Sequence, residues 1–430
     1  MGYVIVGNSA AAVGCITGIR KVDKETPITV ISYEDFCYSK PMIGDILDGA
    51  PREHLTYRDK SFFEKNRVQQ ILGHRAISIN PESKVVVLDS NEIVPYSKLL
   101  IATGARPFIP PIQGVEKEGV FTFTELSEAE RFNSYLTEKG AQEVVVVGSG
   151  FIGLEVAYFL AKRGLKVSVV ELLERSLARA VDERTSRIVE SLLREVGVKF
   201  LFNESVSEIL GEEKVSSVKL KSGKILKADG VVIAVGVRPN VELAQTAKVK
   251  VNKGIEVSTK METSVNDIYA AGDCIECIDI VDNTKKSIPL FPLAFEQGFI
   301  AGLNMAGRGV DYLGGLVLNS LKFLPVPVLN AGLASPPDSS YEVLVNDKFE
   351  ERGFYRKVVL KEGRLVGFVA VGEIDRVGIL TNLIRQKIDV SSIKERLVEL
   401  DFGLVDLPKW WREEKLKEDR TAYKDWRAVK

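Results

Sequence analysis

Apolar residues fall into two kinds of run along this chain. In the first kind, an unbroken apolar block enters a turn of small residues, about a dozen residues with helical patterning follow, and a second apolar block closes the unit. YVIV at 3–6, the turn GNSAAA and PITVIS at 27–32 make one such unit, and EVVVV at 143–147, GSGFIG and KVSVVE at 166–171 make a better formed one. Each predicts a strand, a helix and a parallel strand, with the strands apolar throughout because both faces are covered. The second kind begins after about residue 309, where YRKVVLKEGRLVGFVAV at 355–371 alternates as an antiparallel hairpin does, and a helix is predicted over 375–386. Two proline-bearing segments, ARPFIPPIQG at 105–114 and GVRPN at 236–240, read as an outward and a return crossing. The second unit is then an insertion in the first domain. No repeat of solenoid length is present.

The turn at 148–153 carries Gly148, Gly150 and Gly153 in G-x-G-x-x-G spacing between a strand and a helix, and Glu171 closes the next strand eighteen residues later. Those positions give a tight turn, close backbone approach to a pyrophosphate, helix-to-strand packing and a carboxylate for ribose hydroxyls. The helix N-terminus adds about half a positive charge facing the phosphates. Glu171 also sets the choice of dinucleotide. A unit charge about 4 Å from a 2′-phosphate costs about 4 kcal/mol at an effective dielectric near 20, so NAD(H) is favoured over NADP(H), with Arg175 close enough in sequence to soften that preference. The N-terminal version, Gly7-x-Ser9-x-x-Ala12, keeps the first glycine only, and Ser9 brings a Cβ where close approach is wanted. Its strand ends at Ser32, so the ribose contact falls to Glu34.

Length, charge and cysteine use narrow the function classes. The chain has 430 residues, more than one core organises, and 58 basic against 59 acidic side chains leave no electrostatic footprint for nucleic acid. The most apolar later stretch, 313–334, carries Asn319, Ser320, Lys322, Pro325, Pro327 and Asn330, which are costly in hydrocarbon, so no membrane association is expected. A first strand starting at Tyr3 leaves no room ahead of it for a secretory leader. Four cysteines and two histidines, scattered apart from Cys274-x-x-Cys277, suit a reducing cytoplasm and supply no metal site.

The order of LLIATGARP (99–107), VVIAVGVRPN (231–240) and TSVNDIYAAGDC (263–274) behind two glycine-rich turns resembles the pyridine nucleotide-disulfide oxidoreductase superfamily over nearly the whole chain. The resemblance implies an α/β fold with two dinucleotide-binding, Rossmann-like domains, the NAD domain inserted in the FAD domain, and a C-terminal α+β interface domain. The boundaries are 1–108 with 241–310 for FAD, 109–240 for NAD(H) and 311–430 for the interface domain. FAD would lie against Gly7, Ser9, Ala10, Ala12, Glu34, Ser39, Lys40, Pro41, Ala102, Thr103, Gly104, Arg106, Gly272, Asp273, Leu293 and Ala294, with Asp273 on the ribityl chain. NAD(H) would lie against Gly148, Gly150, Phe151, Ile152, Gly153, Glu155, Glu171 and Gly236.

Within the superfamily, the stretch DFCYSKPMIGDIL at 35–47 decides the branch. Members that reduce thiols carry an early Cys-x4-Cys pair, or one cysteine after a serine. Aligning Ser39 with that serine puts Lys40 at the reactive position, and Cys37 becomes its neighbour. Tyr-Ser-Lys-Pro at 38–41 resembles instead the rubredoxin and ferredoxin reductase branch, as do 355–371 and GILTNLI at 378–384, which also resemble the flavin portion of NADH-dependent nitrite reductase. Glu155 matches the acid that pairs with this lysine there, so the resemblance makes Lys40 and Glu155 a catalytic pair. A flavin accepts a hydride and releases single electrons, and the activity implied is exchange between NAD(H) and ferredoxin or rubredoxin. The rivals are an NADH oxidase or coenzyme A-disulfide reductase using Cys37, and a slow redox-sensing flavoprotein subunit of a larger redox complex. A homodimer is expected through the C-terminal domain.

Two features lie outside this scheme. Cys274 and Cys277 have redox spacing but no cationic neighbour, and read as packed thiols, as does Cys15 in the first helix. The tail from Lys409, with net charge +3 and Leu416, Tyr423 and Trp426 on one helical stripe, either docks an acidic ferredoxin or closes its own domain. DFGLVDLP at 401–408, just before it, resembles ferredoxin:NAD+ oxidoreductases of anaerobic CO metabolism.

Overall fold

A computed structural model describes residues 1–417. It divides into two compact units, Met1–Ala178 with Ser186–Val317, and Arg179–Thr185 with the chain from Leu318 onward. The first unit holds two parallel sheets. One sets the strands Val68–Leu72, Ile28–Ser32, Gly2–Val6 and Ile93–Ile101 side by side, with Ile268–Ala270 parallel to the last of them and an antiparallel hairpin extending the edge. The other runs Val120–Thr122, Gly230–Ile233, Glu143–Val147, Lys166–Val170, Lys199–Leu201, parallel throughout. The chain thus leaves the first sheet at Ile101, builds the second and returns at Ile268. Its two crossings lie beside one another, Ala105–Pro107 antiparallel to Val237–Pro239. Val4, Ile5, Val144, Val145 and Val146 are buried, as strands covered on both faces require.

The helix Ala10–Val22 leaves the first glycine turn and packs against Phe291–Met305. The contact is backbone to backbone. A Cβ added at Gly14 or Gly18 would overlap the carbonyl oxygens of Phe295 and Phe299, and one at Gly298 or Gly302 would overlap those of Ala11 and Cys15. Two glycines four residues apart on each helix let the axes approach this closely.

The second unit is an antiparallel sheet in the order Leu318–Leu321, Val328–Gly332, Arg364–Val371, Phe354–Lys361, Glu342–Lys348, with the helix Val377–Gln386 on the Arg364–Val371 strand. That helix starts two residues later than the apolar period predicts, because Arg376 takes a left-handed backbone, φ 65°. Arg179–Thr185 belongs to this unit. The Asp182 carboxylate accepts from the Tyr355 hydroxyl at 2.6 Å and pairs with Lys357 at 3.1 Å. Arg356, 2% exposed, donates to the carbonyl of Glu399 at 2.7 Å and so fixes the chain that follows the helix. Lys409–Lys417 is helical, with the Trp411 indole N–H donating to Gln386 at 2.9 Å. The Tyr423 and Trp426 part of the tail stripe lies outside the described residues. Among the described residues no helix is long and apolar enough to cross a membrane.

Candidate functional site

The first glycine turn opens into a cavity of about 850 Å3 in the first unit. Gly7, at φ 124°, is forced by the turn, since a Cβ there would overlap the Ala102 carbonyl oxygen. Beyond it Ser9 caps the helix in extended conformation without a side-chain cap bond, so the first helical N–H groups face the cavity. Asn8, between them, is 2% exposed, lines the cavity, and neither its amide oxygen nor its amide nitrogen has a hydrogen-bond partner. Thr124 Oγ1, also on the wall, is buried and unpartnered in the same way.

Further along the wall, Glu34 accepts from the Tyr38 hydroxyl at 2.6 Å and from Lys40 Nζ at 3.2 Å. Tyr33 donates to Glu125 at 2.6 Å, and the Arg75 guanidinium lies 3.9 Å from its ring centroid. Thr103 donates to the Asn240 carbonyl at 2.8 Å, and Arg106 is drawn to Glu242 at 2.7 Å. Gly272 N–H is held by Gln297 at 2.9 Å. Asp273 faces the cavity, and burial pushes its carboxyl up to about 6, with the Lys40 charge pulling the other way. Among the described residues no side chain hydrogen-bonds its carboxyl, whereas the Ser287 hydroxyl donates to its backbone carbonyl at 3.4 Å. Ala10, Pro41, Ala102, Gly104 and Ala294 complete the part of the sequence-based set that lines this cavity, whereas Ala12, Ser39 and Leu293 do not line it.

The second glycine turn does its work differently. Gly148, at φ 101°, has the Ala234 carbonyl oxygen 2.5 Å from the position of a Cβ, and a Cβ on Gly153 would overlap the Gly148 carbonyl, whereas Gly150 faces open space. Glu171 Oε2 accepts from the backbone N–H and the hydroxyl of Ser149, at 2.8 and 2.7 Å, and Oε1 accepts from Leu173 N–H at 2.9 Å. The carboxylate is therefore fixed at the mouth of the turn. Arg175 donates to Ser186 Oγ at 2.8 Å and to the Ala178 carbonyl at 3.1 Å. Phe151 opens the helix Phe151–Lys162, and Gly236, at φ 112°, lies in the segment entering the return crossing. Ile152 and Glu155 of that helix line the first cavity, as Lys40 does.

Three comparisons with known proteins bear on this arrangement. Residues 1–298 match the model of the pyridine nucleotide-disulphide oxidoreductase family, and residues 318–388 match the rubredoxin NAD+ reductase C-terminal domain. The chain belongs to the pyridine nucleotide-disulphide oxidoreductases. It is 39% identical to an NADH oxidase of Methanocaldococcus jannaschii over 71% of this chain and 70% of that protein. It is 30% identical to the NADH-dependent phenylglyoxylate dehydrogenase subunit epsilon of Aromatoleum evansii, over 95% of this chain and 98% of the relative. Among solved structures it resembles a ferredoxin reductase of Rhodopseudomonas palustris, with TM-score 0.84 and 26% identity over 94% and 99% of the two chains.

As a member of the pyridine nucleotide-disulphide oxidoreductases the protein is an NAD(P)H-dependent flavoprotein, with FAD and NAD(H) as its cofactors. The residues present fit FAD. A buried carboxamide and a buried hydroxyl without partners, an unpaired carboxyl and a free helix N-terminus line one cavity, and FAD offers phosphate, ribityl and ribose groups to meet them. Asn8 and Thr124 were not among the sequence-based candidates. Asn8 stood in plain view inside the turn, whereas Thr124 comes from the inserted segment and has no local signal.

None of the four cysteines lines the cavity. Cys37 is 1% exposed, in the short strand Cys37–Tyr38, and burial pushes its thiol up to about 12. Cys274 donates to the Ala271 carbonyl at 3.3 Å and Cys277 accepts from Gln297 at 3.6 Å, and burial raises both to about 11. Cys15 contacts Met305 sulfur at 3.6 Å.

Proposed function

We propose that this pyridine nucleotide-disulphide oxidoreductase exchanges electrons between NAD(H) and a one-electron iron-sulfur carrier of the ferredoxin or rubredoxin class, without a redox cysteine. The observation that carries this reading is that the cavity wall offers Lys40 and no thiol, while every cysteine is buried with a raised pKa. The match of 318–388 to the rubredoxin NAD+ reductase C-terminal domain and the likeness to a ferredoxin reductase support the choice of acceptor. When bound, FAD supplies the conversion between a two-electron hydride and single electrons.

The chain's own residues then have stated tasks. The turn at Gly7 and the free N–H groups of the helix Ala10–Val22 hold the pyrophosphate, Glu34 holds a ribose, and Asp273 accepts from ribityl hydroxyls. Glu171 receives the ribose of NAD(H) and, with Arg175 tied to Ser186, disfavours a 2′-phosphate. Lys40 places a positive charge at the flavin end, where reduction adds negative charge. Glu155 sits on the helix that starts at the NAD turn and flanks the path of the nicotinamide. A homodimer through the C-terminal unit and a reducing cytoplasm complete the proposal.

One specific observation favours a second reading. The 39% relative is named an NADH oxidase, so O2 is the rival acceptor. An anaerobic assay of the holoprotein with NADH separates them, using rubredoxin, ferredoxin and coenzyme A disulfide in turn, with O2 in a parallel aerobic run. Turnover with an iron-sulfur protein well above that with O2 supports the proposal. Turnover only with O2, or only with the disulfide, overturns it.

A further inference from the structure

Gly44 lies in the 3-10 segment Lys40–Ile46 and is buried. Its backbone does not require glycine, since it is absent from the residues with positive φ. What a side chain at this position would meet is Glu155. A Cβ at position 44 would fall 2.7 Å from Glu155 Cδ, 2.8 Å from Glu155 Oε1 and 2.9 Å from Glu155 Cγ, and these are its three nearest atoms. At Gly7, Gly14 and Gly298 the nearest atom is a backbone oxygen, which cannot move aside. At Gly44 it is the end of a flexible side chain that also lines the cavity.

We propose that Gly44 is a positioning residue, a slot in the 40–46 turn that holds the Glu155 carboxylate back from the cavity and so keeps the nicotinamide path open. The inference rests on the reading of Glu155 as flanking that path. A methyl group in the slot displaces the carboxylate, which already lines the cavity, towards that cavity. There it takes up space that the nicotinamide needs, so NAD+ binds less well and NADH reduces the protein more slowly.

The test is a double-mutant cycle on the holoprotein with Gly44→Ala, Glu155→Ala and the combination. Binding of NAD+ to the oxidised holoprotein is titrated by the change in flavin absorbance, and reduction by NADH is followed by stopped flow. Gly44→Ala is expected to weaken NAD+ and slow reduction, each by about tenfold. In the Glu155→Ala background the same substitution changes neither. If Gly44→Ala loses FAD while the double variant keeps it, the collision with Glu155 is demonstrated by that route. The proposal is overturned if Gly44→Ala has no effect, or the same effect in both backgrounds, or if both Gly44→Ala proteins lose FAD. If Glu155→Ala alone changes neither NAD+ binding nor reduction, the reading of Glu155 fails and the slot falls with it. An effect of Glu155→Ala without one of Gly44→Ala leaves that reading standing and removes the slot.

Discussion

The two glycine-rich turns start from one strand-turn-helix plan and are tightened in different places. In the turn at 148–153 the close approach is internal, Gly153 packing on the Gly148 carbonyl, and Gly150 leaves the mouth open. In the turn at 7–12 only Gly7 is retained, Ser9 and Ala12 stand at the other two positions, and the glycines that allow close packing lie one and two helical turns further on. Gly14 and Gly18 press into the helix Phe291–Met305, whose own Gly298 and Gly302 press back. Apart from Gly148, which also abuts the Ala234 carbonyl, the turn at 148–153 is tightened within itself. The first turn is held by a helix almost 290 residues away in the chain, so on the proposed placement FAD retention depends on the whole unit.

The largest effect expected from this contrast is at Gly298. Gly298→Val places a branched side chain into the Ala11 carbonyl, where neither backbone can retreat, and costs about 3 kcal/mol or more. Loss of soluble yield and of bound FAD, read by the ratio of protein to flavin absorbance, is the expected outcome. Gly150→Ala is its counterpart in the other turn. With nothing within 4 Å of the added Cβ it should fold and keep FAD at the wild-type ratio, and weaken only NADH. Equal damage from both substitutions would break the distinction.

Next in size is Glu171, which has no equivalent of its geometry in the first turn. Its two oxygens accept three hydrogen bonds at the turn mouth, whereas Glu34 is shared between Tyr38 and Lys40. Glu171→Ala removes both the ribose acceptor and the charge that repels a 2′-phosphate. The ratio of kcat/KM for NADH over NADPH should fall by about a hundredfold, roughly 2.7 kcal/mol of the electrostatic penalty available at this range. An unchanged ratio would mean that some other group reads the 2′ position.

A smaller effect separates the two halves by pH. Asp273 lines the first cavity, and its folded carboxyl, raised by burial to about 6, lies above the ordinary value of 3.8. A raised carboxyl makes the protein without FAD more stable at low pH, and that contribution is lost as pH rises from about 4 to about 6. Hydroxyl donors from FAD favour the ionised form, so FAD binding runs the other way, tightest above about pH 6 and weaker by up to about tenfold at pH 5. Titrating FAD into apoprotein across this range checks the slope, and Asp273→Asn should flatten it. Binding of NAD+ should not share that slope.

Much of this architecture was legible because its determinants are local. A glycine at a positive-φ turn, valines covered on both faces and an acid closing the next strand act within about thirty residues, and both parallel units and Glu171 were readable from them. The proline crossings were readable for the same reason, and they lie side by side at Ala105–Pro107 and Val237–Pro239. What resisted reading depends on contacts across the chain. The glycine pairs 14/18 and 298/302 are visible as spacings, yet only the structure shows that they face each other. Thr124 and the Gly44 slot have no local signature at all. The resemblance joined Lys40 to Glu155, and the structure brings both to one cavity while setting Lys40 3.2 Å from Glu34. That second contact depends on how the 33–40 segment folds back, which no spacing rule fixes. The helix predicted from residue 375 begins at Val377 because Arg376 adopts a left-handed conformation that the apolar period does not encode.

The smallest expected effect falls on the residue that most invites attention. Cys37 lies three residues from Lys40, and a thiol there would suggest disulfide or peroxide chemistry. Its side chain is buried, lines no part of the cavity, and is held protonated well above neutral pH because a thiolate would lose its hydration there. Cys37→Ala should therefore cost about 1 kcal/mol of stability, the loss of one buried sulfur's packing, and leave the rate of NADH-driven acceptor reduction within twofold of wild type, about 0.4 kcal/mol. Alanine is the sharper substitution than serine, since a buried hydroxyl without a partner would add a penalty unrelated to redox chemistry. A fall in turnover of about a hundredfold with FAD still bound would return the thiol to the mechanism and transfer the reactive role from Lys40 to Cys37. Thermal unfolding of the same variant keeps the two apart, because a packing defect lowers the midpoint and a catalytic defect does not.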